Sequence, residues 1–317
     1  MSSYDSDNEL NTSPLYKDRP EWKDVTPIYN SADEDAVVKI AHSETFTDAF
    51  AYFRAILHQN EMSERAFELT TTCSQLNAAN YSVWQFRRNL LKSLNKNTDD
   101  EFRFTEEMIF ENPKNYQIWH HLDLTKDPKR ELEFTESVLR GDAKNYHGWQ
   151  HRQWVVYNFN LFSDNEVEYS TQLLAEDLRN NSAWNYRYFI IDHLSDTFKK
   201  QDVVANEIEF AKQAIQKLNY NESSWSYLNG LLVNDGLSAH PEIISFLKNL
   251  HETGDTRSVH LRCLLFDYHT EQIEKSNEVK SNSDLAFKLL DELEEIDSVR
   301  KNYYGYLRDR VNNLLSG

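Results

Sequence analysis

Tryptophan placement constrains this chain more than any other feature. Trp84, Trp119, Trp149, Trp184 and Trp225 stand 35, 30, 35 and 41 residues apart, and their surroundings repeat too. Asn80-Tyr81-Ser82-Val83-Trp84-Gln85-Phe86-Arg87 is followed by Asn115-Tyr116-Gln117-Ile118-Trp119-His120-His121-Leu122. Then come Asn145-Tyr146-His147-Gly148-Trp149-Gln150-His151-Arg152 and Asn180-Asn181-Ser182-Ala183-Trp184-Asn185-Tyr186-Arg187. A weaker copy surrounds Trp225, and a degenerate one places Tyr304 at the Trp position. A fixed period of this length marks stacked supersecondary units. Each period predicts two helices. The first runs from the Asn-Tyr segment through the Trp, as over 81–94. The second is amphipathic, as marked by Phe102, Met108 and Ile109, or by Leu132, Val138 and Leu139. Asp99, Asp127, Asp164 and Asn206 fall near the starts of second helices, where such side chains accept free N–H groups. One hairpin cannot bury its own apolar face, so the pattern predicts an all-α fold, an α-α solenoid of stacked helical hairpins. The flat indole fills the wedge between neighbours.

Composition agrees. Only 7 Gly and 6 Pro in 317 residues leave little material for tight turns. A net charge of −18 argues against general nucleic-acid binding, which needs a dense cationic surface. Cys73 and Cys263 make no disulfide framework, so a reducing, cytoplasmic setting is expected. The polar, acidic start does not read as a signal peptide, and Leu314-Leu315-Ser316-Gly317 carries no prenylation or retention signal. No apolar run is long enough for a membrane span. Residues 1–15 are expected to be a disordered acidic tail. Residues 16–317 are expected to form a single α-α superhelix domain. Its repeats fall at about 76–94, 111–125, 141–160, 177–194 and 218–233, with a degenerate copy at 297–315. Tyr16 to Pro27 reads as an extended segment packed on a partner or on the array. Helical pattern resumes near Ala36 and continues through Phe46–Leu57 and Ser63–Leu76. Residues 241–252, 258–274 and 284–297 read as helices, and 275–283 as a polar loop.

The chain has no Gly-x-Ser-x-Gly elbow, no phosphate-binding Gly loop and no Cys-x-x-Cys. His147 and His151 lie four apart and could form half of a zinc site, but a third ligand is not apparent. The adjacent His120 and His121 diverge on a helix. More informative is the row made by equivalent positions. Three before the Trp stand Tyr81, Tyr116, Tyr146 and Asn181. Two before stand Ser82, Gln117, His147 and Ser182, and five before stand Ala79, Lys114, Lys144 and Arg179. All lie where a loop enters a helix, a place whose free N–H groups favour anions. That rim could bind a phosphate or carboxylate. Alternatively, Asn simply caps each helix and Tyr packs on its neighbour. Arg87, Arg152 and Arg187, three after the Trp, read as structural ion-pair partners.

The repeated Asn-Tyr-x-x-Trp-x-x-Arg resembles the protein prenyltransferase α-subunit repeat. Pro113–His121 and Asp142–Trp154 closely resemble the α subunit shared by farnesyltransferase and geranylgeranyltransferase type I. Tyr16-Lys17-Asp18-Arg19-Pro20-Glu21-Trp22, Ser63–Phe67, Leu76–Tyr81 and Asn180–Asn185 extend the likeness over roughly 16–310. The resemblance implies a right-handed superhelical, crescent-shaped α-α solenoid wrapped around a β subunit. The implied enzyme transfers a farnesyl or geranylgeranyl group to the cysteine of C-terminal CaaX sequences, such as those of Ras/Rho-type GTPases. It implies catalytic zinc in the β subunit and magnesium used by the farnesyltransferase complex, with no cofactor on this chain. Lys114 corresponds to a lysine contacting the isoprenoid diphosphate, Gln117 to a glutamine binding the peptide's terminal carboxylate, and Tyr81 to a tyrosine near the peptide's last residues. Tyr116, Tyr146 and His147 match residues near the isoprenoid and diphosphate.

One segment departs from the family. After His120-His121 the family continues with an Arg and a full helix, whereas here the chain runs Leu122-Asp123-Leu124-Thr125-Lys126-Asp127-Pro128. The second-repeat helix is expected to be more than a turn shorter. Two other readings stay open: a Rab geranylgeranyltransferase α subunit, and a non-catalytic helical-repeat scaffold.

Overall fold

The computed structural model describes residues 14–30, 40–122, 127–196, 198–233, 235–253 and 257–316. The expected tail at 1–13, the expected helical start at 36–39 and Asp123–Lys126 lie outside the described residues. Every regular element among the described residues is helical. The chain divides into two compact units, Met1–Leu161 and Phe162–Gly317.

In the first unit, two 3-10 turns, Tyr16–Asp18 and Pro20–Trp22, precede α1 (Glu44–Gln59), α2 (Glu64–Leu76), α3 (Tyr81–Ser93), α4 (Thr98–Glu111), α5 (Tyr116–Leu122), α6 (Pro128–Gly141) and α7 (Tyr146–Asn158). The segment from Tyr16 to Pro27 is therefore not fully extended. It lies on the array itself. The Tyr16 N–H donates to Asp48 Oδ2 at 2.5 Å, its hydroxyl donates to Thr72 at 2.9 Å, and Trp22 meets the Tyr52 ring edge-on at 5.5 Å. In the second unit come α8 (Asp164–Glu176), α9 (Asn181–Leu194), α10 (Gln201–Lys217), α11 (Glu222–Leu232), α12 (Pro241–Thr253), α13 (Val259–Glu274), α14 (Val279–Ile296) and α15 (Lys301–Ser316). The stretch read as a loop over 275–283 is shorter than expected. Helix α14 begins at Val279, and the buried Asn282 accepts from His269 Nδ1 through Oδ1 at 2.7 Å while its Nδ2 donates to the Asn277 carbonyl at 2.8 Å. Asn282 and Ser283 are buried there, while Lys275, Ser276, Asn277 and Glu278 face solvent.

Asparagine explains how so few glycines suffice. Asn60, Asn95 and Asn160 adopt left-handed backbone at φ 51°, 49° and 52° where helices end, a conformation Asn tolerates better than most residues. At the other end, Asn80 Oδ1 accepts the N–H groups of Ser82 and Val83, and Asn145 Oδ1 accepts that of Gly148. Second helices are capped differently from the expectation. Asp127 caps α6, but Asn97 rather than Asp99 caps α4, Ser163 precedes α8, and Asn206 lies inside α10.

Each tryptophan pins its own turn. The indole N–H donates to the carbonyl six residues earlier: Trp84 to Ala78 at 2.8 Å, Trp119 to Pro113 at 3.0 Å, Trp149 to Ala143 at 3.0 Å, Trp184 to Leu178 at 2.9 Å, and Trp225 to Asn219 at 2.7 Å. The following repeat reaches back to the same carbonyl. Asn145 Nδ2 donates to Pro113 at 3.1 Å and Asn221 Nδ2 donates to Leu178 at 2.7 Å. Ser258 Oγ donates to Asn219 at 3.0 Å, so α13 continues the array with Arg262 at the Trp position. Sequence pattern alone missed that copy because Arg replaces Trp and Ser replaces Asn.

Buried charge joins the helices. Arg87 donates twice to Glu101, at 2.6 and 2.7 Å, and to the Thr70 and Thr71 hydroxyls on α2. Arg187 does the same to Glu207, Ser170 and Thr171 in the second unit. These arginines are structural ion-pair partners, as their position had indicated. Arg152 is buried and donates to the Leu132 carbonyl and Thr135 hydroxyl. The glutamates were not foreseen. Each lies twenty residues before the residue two after the next Trp, giving Glu101–His121 at 2.6 Å, Glu131–His151 at 2.8 Å, Glu166–Tyr186, and Glu207–Tyr227 at 2.5 Å. Burial raises the Glu101 carboxyl, but the hydrogen bonds from His121 and Arg87 outweigh it and leave the group below its ordinary range.

Candidate functional site

The described part of α5 is the seven residues Tyr116–Leu122, and the segment where its shortening is expected, Asp123–Lys126, lies outside the described residues. Leu122 occupies the place of Arg87 and Arg152 and is buried. The turn entering α5 keeps its pinning bonds from Trp119 and Asn145.

The two turns that enter α5 and α7 bring most of the expected site together. Lys114 is exposed beside the pinned Pro113 carbonyl. His147 is only 8% exposed, and its ring bonds the Lys114 backbone carbonyl. Burial holds its imidazole below the usual range, and that hydrogen bond offsets part of the effect. Tyr116 meets the His147 ring edge-on at 4.2 Å, Tyr146 does so at 5.3 Å, and Trp119 stacks on it at 6.1 Å. These rings border an open groove of about 250 Å³ that His151 and Trp154 also line. Tyr81, Lys114 and Gln117 do not line it. Gln117 is half-buried, its N–H held by Asn115 at 2.9 Å, and Tyr81 begins α3 one repeat earlier.

Part of the sequence argument for the rim changes here. The Asn caps take part of the N–H set expected to attract anions, the Gln117 N–H at α5 and the Gly148 N–H at α7, and Lys114 adds an exposed ammonium beside them. The tyrosines do not pack away: Tyr81, Tyr116 and Tyr146 are 71%, 67% and 62% exposed. Capping and exposed aromatic rings coexist on one edge. His151 is turned to Glu131, and among the described residues no three His, Cys, Asp or Glu side chains gather as a metal set.

A register-equivalent groove of about 590 Å³ lies between α9 and α11, bordered by Asn181, Trp184, Tyr188, Glu222 and Tyr227. It is larger, but it presents the Glu222 carboxylate, which opposes an anionic ligand. The smaller groove between α5 and α7 has no carboxylate among its lining residues.

Tryptophan-pinned hairpins with this rim define a helical-repeat protein. Residues 63–94, 98–122, 128–159 and 163–194 match the protein prenyltransferase alpha subunit repeat, and the chain belongs to the protein prenyltransferase α-subunit family. It is 37% identical to the protein farnesyltransferase/geranylgeranyltransferase type-1 subunit alpha of Solanum lycopersicum, over 97% of this chain and 94% of that protein. It is 35% identical to the subunit of the same name from Dictyostelium discoideum, over 99% of each. Its fold matches a chain of Candida albicans protein geranylgeranyltransferase-I complexed with GGPP with a TM-score of 0.80 and 28% identity, over 91% of this chain and 98% of that one. Within the family it is of the α-subunit kind shared by farnesyltransferase and geranylgeranyltransferase type 1.

Proposed function

We propose that this chain pairs with a prenyltransferase β subunit in the cytoplasm, and that the heterodimer transfers a farnesyl or geranylgeranyl group to the cysteine of CaaX proteins. Ras/Rho-type GTPases are the expected substrate class. The observation that carries the reading is Lys114, an exposed cation on a turn whose carbonyls are held from three side chains. In the reaction the C–O bond to diphosphate breaks as the S–C bond forms, and negative charge grows on the departing diphosphate. A fixed ammonium stabilises that charge more in the transition state than in the ground state. Gln117 offers amide N–H groups to the peptide carboxylate without adding charge. Tyr81 stands near the peptide's end, and Tyr116 and Tyr146 flank the isoprenoid with His147 between them. Zinc belongs to the β subunit in this reading, where it would hold the substrate thiolate, and magnesium would accompany the diphosphate. Three of this chain's histidines, His121, His151 and His147, are held by Glu101, Glu131 and the Lys114 carbonyl.

Lys114→Ala in the purified heterodimer tests the assignment. Single-turnover transfer is expected to slow by about 100- to 1,000-fold, with isoprenoid binding weakened much less and the heterodimer intact. A rate within about twofold of wild type, the scale of an ordinary surface substitution, removes Lys114 from the mechanism. A non-catalytic scaffold would show no transfer with any β subunit. A Rab-type subunit would prenylate only Rab substrates.

A further inference from the structure

We propose that Asn145 is a positioning residue for the transfer step, acting through the turn that carries Lys114. This rests on the role given to Lys114 above. Asn145 is 2% exposed, and both ends of its amide are used. Oδ1 accepts the Gly148 N–H at 2.9 Å and caps α7, while Nδ2 donates to the Pro113 carbonyl at 3.1 Å. Trp119 Nε1 donates to that same carbonyl at 3.0 Å. The Pro113 carbonyl thus takes one donor from its own helix and one from the next repeat. His147, two residues after Asn145, holds the following carbonyl, that of Lys114. Two consecutive peptide planes are fixed, one from α5 and α7 together and one from α7. The carbonyls on both sides of the Lys114 Cα are therefore held, which ties the root of its side chain to both helices.

The bridge itself is a property of the repeat, since Asn221 and Ser258 make it at Leu178 and Asn219. There it joins repeats. At Pro113 it also sets where an ammonium begins. Catalysis by a fixed charge depends on placement, and a misplacement of about 1 Å costs roughly 100-fold. A merely structural Asn145 would affect stability and leave the chemical step alone.

Asn145→Asp separates these roles. The carboxylate still accepts the Gly148 N–H and suits a helix N-terminus, but it cannot donate to Pro113. Asn145→Ser keeps both functions, because Ser258 accepts the Leu261 N–H and donates to Asn219 in this same chain. In the heterodimer, Asn145→Asp is expected to slow single-turnover transfer by roughly 10- to 100-fold with isoprenoid affinity little changed, and Asn145→Ser to restore most of the rate. Combined with Lys114→Ala, Asn145→Asp should add less than about a further twofold, because both act through one side chain. If Asn145→Asp does not assemble, Trp119→Phe removes the other donor and is expected to act in the same direction. Should Lys114→Ala slow transfer while Asn145→Asp does not, the positioning role is wrong and the role of Lys114 stands. An additive double variant also overturns it. A Lys114→Ala enzyme of normal rate removes both.

Discussion

Replacing Glu101 by Gln is the sharpest test of what holds the first unit together. Glu101 is 5% exposed and accepts two bonds from Arg87 and one from His121. Arg87 is itself 2% exposed and lies against the Phe67 and Phe104 rings at 4.1 and 4.4 Å. The substitution keeps the shape but leaves the guanidinium facing a neutral amide. The Thr70 and Thr71 hydroxyls still accept from it, but they do not cancel its charge. Breaking a buried pair from one side costs about 3–5 kcal/mol. At about 2–4 °C per kcal/mol for a unit of this size, thermal unfolding followed by helical circular dichroism should shift down by roughly 6–20 °C. Removing the stranded charge as well, with Arg87→Met, should recover part of that loss. A shift below about 2 °C for Glu101→Gln would show that the ion pair contributes no more than a solvent-exposed one. A double variant less stable than either single variant would show that the cost is not stranded charge.

Acid should unfold the protein early. Burial sets the His121 pKa below its ordinary 6.5, and the bond to Glu101 only partly opposes this. Its stabilising contribution is therefore present above pH 6.5 and is lost as pH falls toward the folded value. His147, His260 and His269 are shifted the same way by burial, and Glu101 adds a further loss below its ordinary 4.5. The unfolding midpoint should drop between pH 7 and pH 5, and a flat profile would contradict the assigned neutral histidines. Two glycines should respond oppositely. A Cβ at Gly230 would stand 2.8 Å from Tyr188 Cε2, whereas one at Gly305 in α15 meets nothing within 4 Å. Gly230→Ala should lose up to about 2 kcal/mol, crowding of about 1–3 kcal/mol outweighing helix propensity. Gly305→Ala should gain about 0.5–1 kcal/mol, both read from urea midpoints.

Local chemistry was legible in the residues alone. The Asn caps, the apolar stripes and the Trp-pinned turns depend on neighbours two to six residues apart, so one-dimensional spacing carries them. The arginines after the Trp followed from the same register. So did the rim that carries Lys114, Tyr116 and His147. What the tertiary structure decided were pairings across repeats. The partner of Arg87 is fourteen residues away and that of His121 twenty, on a different helix, and a glutamate on an amphipathic helix looks solvent-facing until the next helix covers it. The same holds for Asn145, a cap by sequence, whose second hydrogen bond spans 32 residues to Pro113. A residue's own turn determines whether it can cap a helix. Only the stacked neighbour determines what its remaining donor reaches.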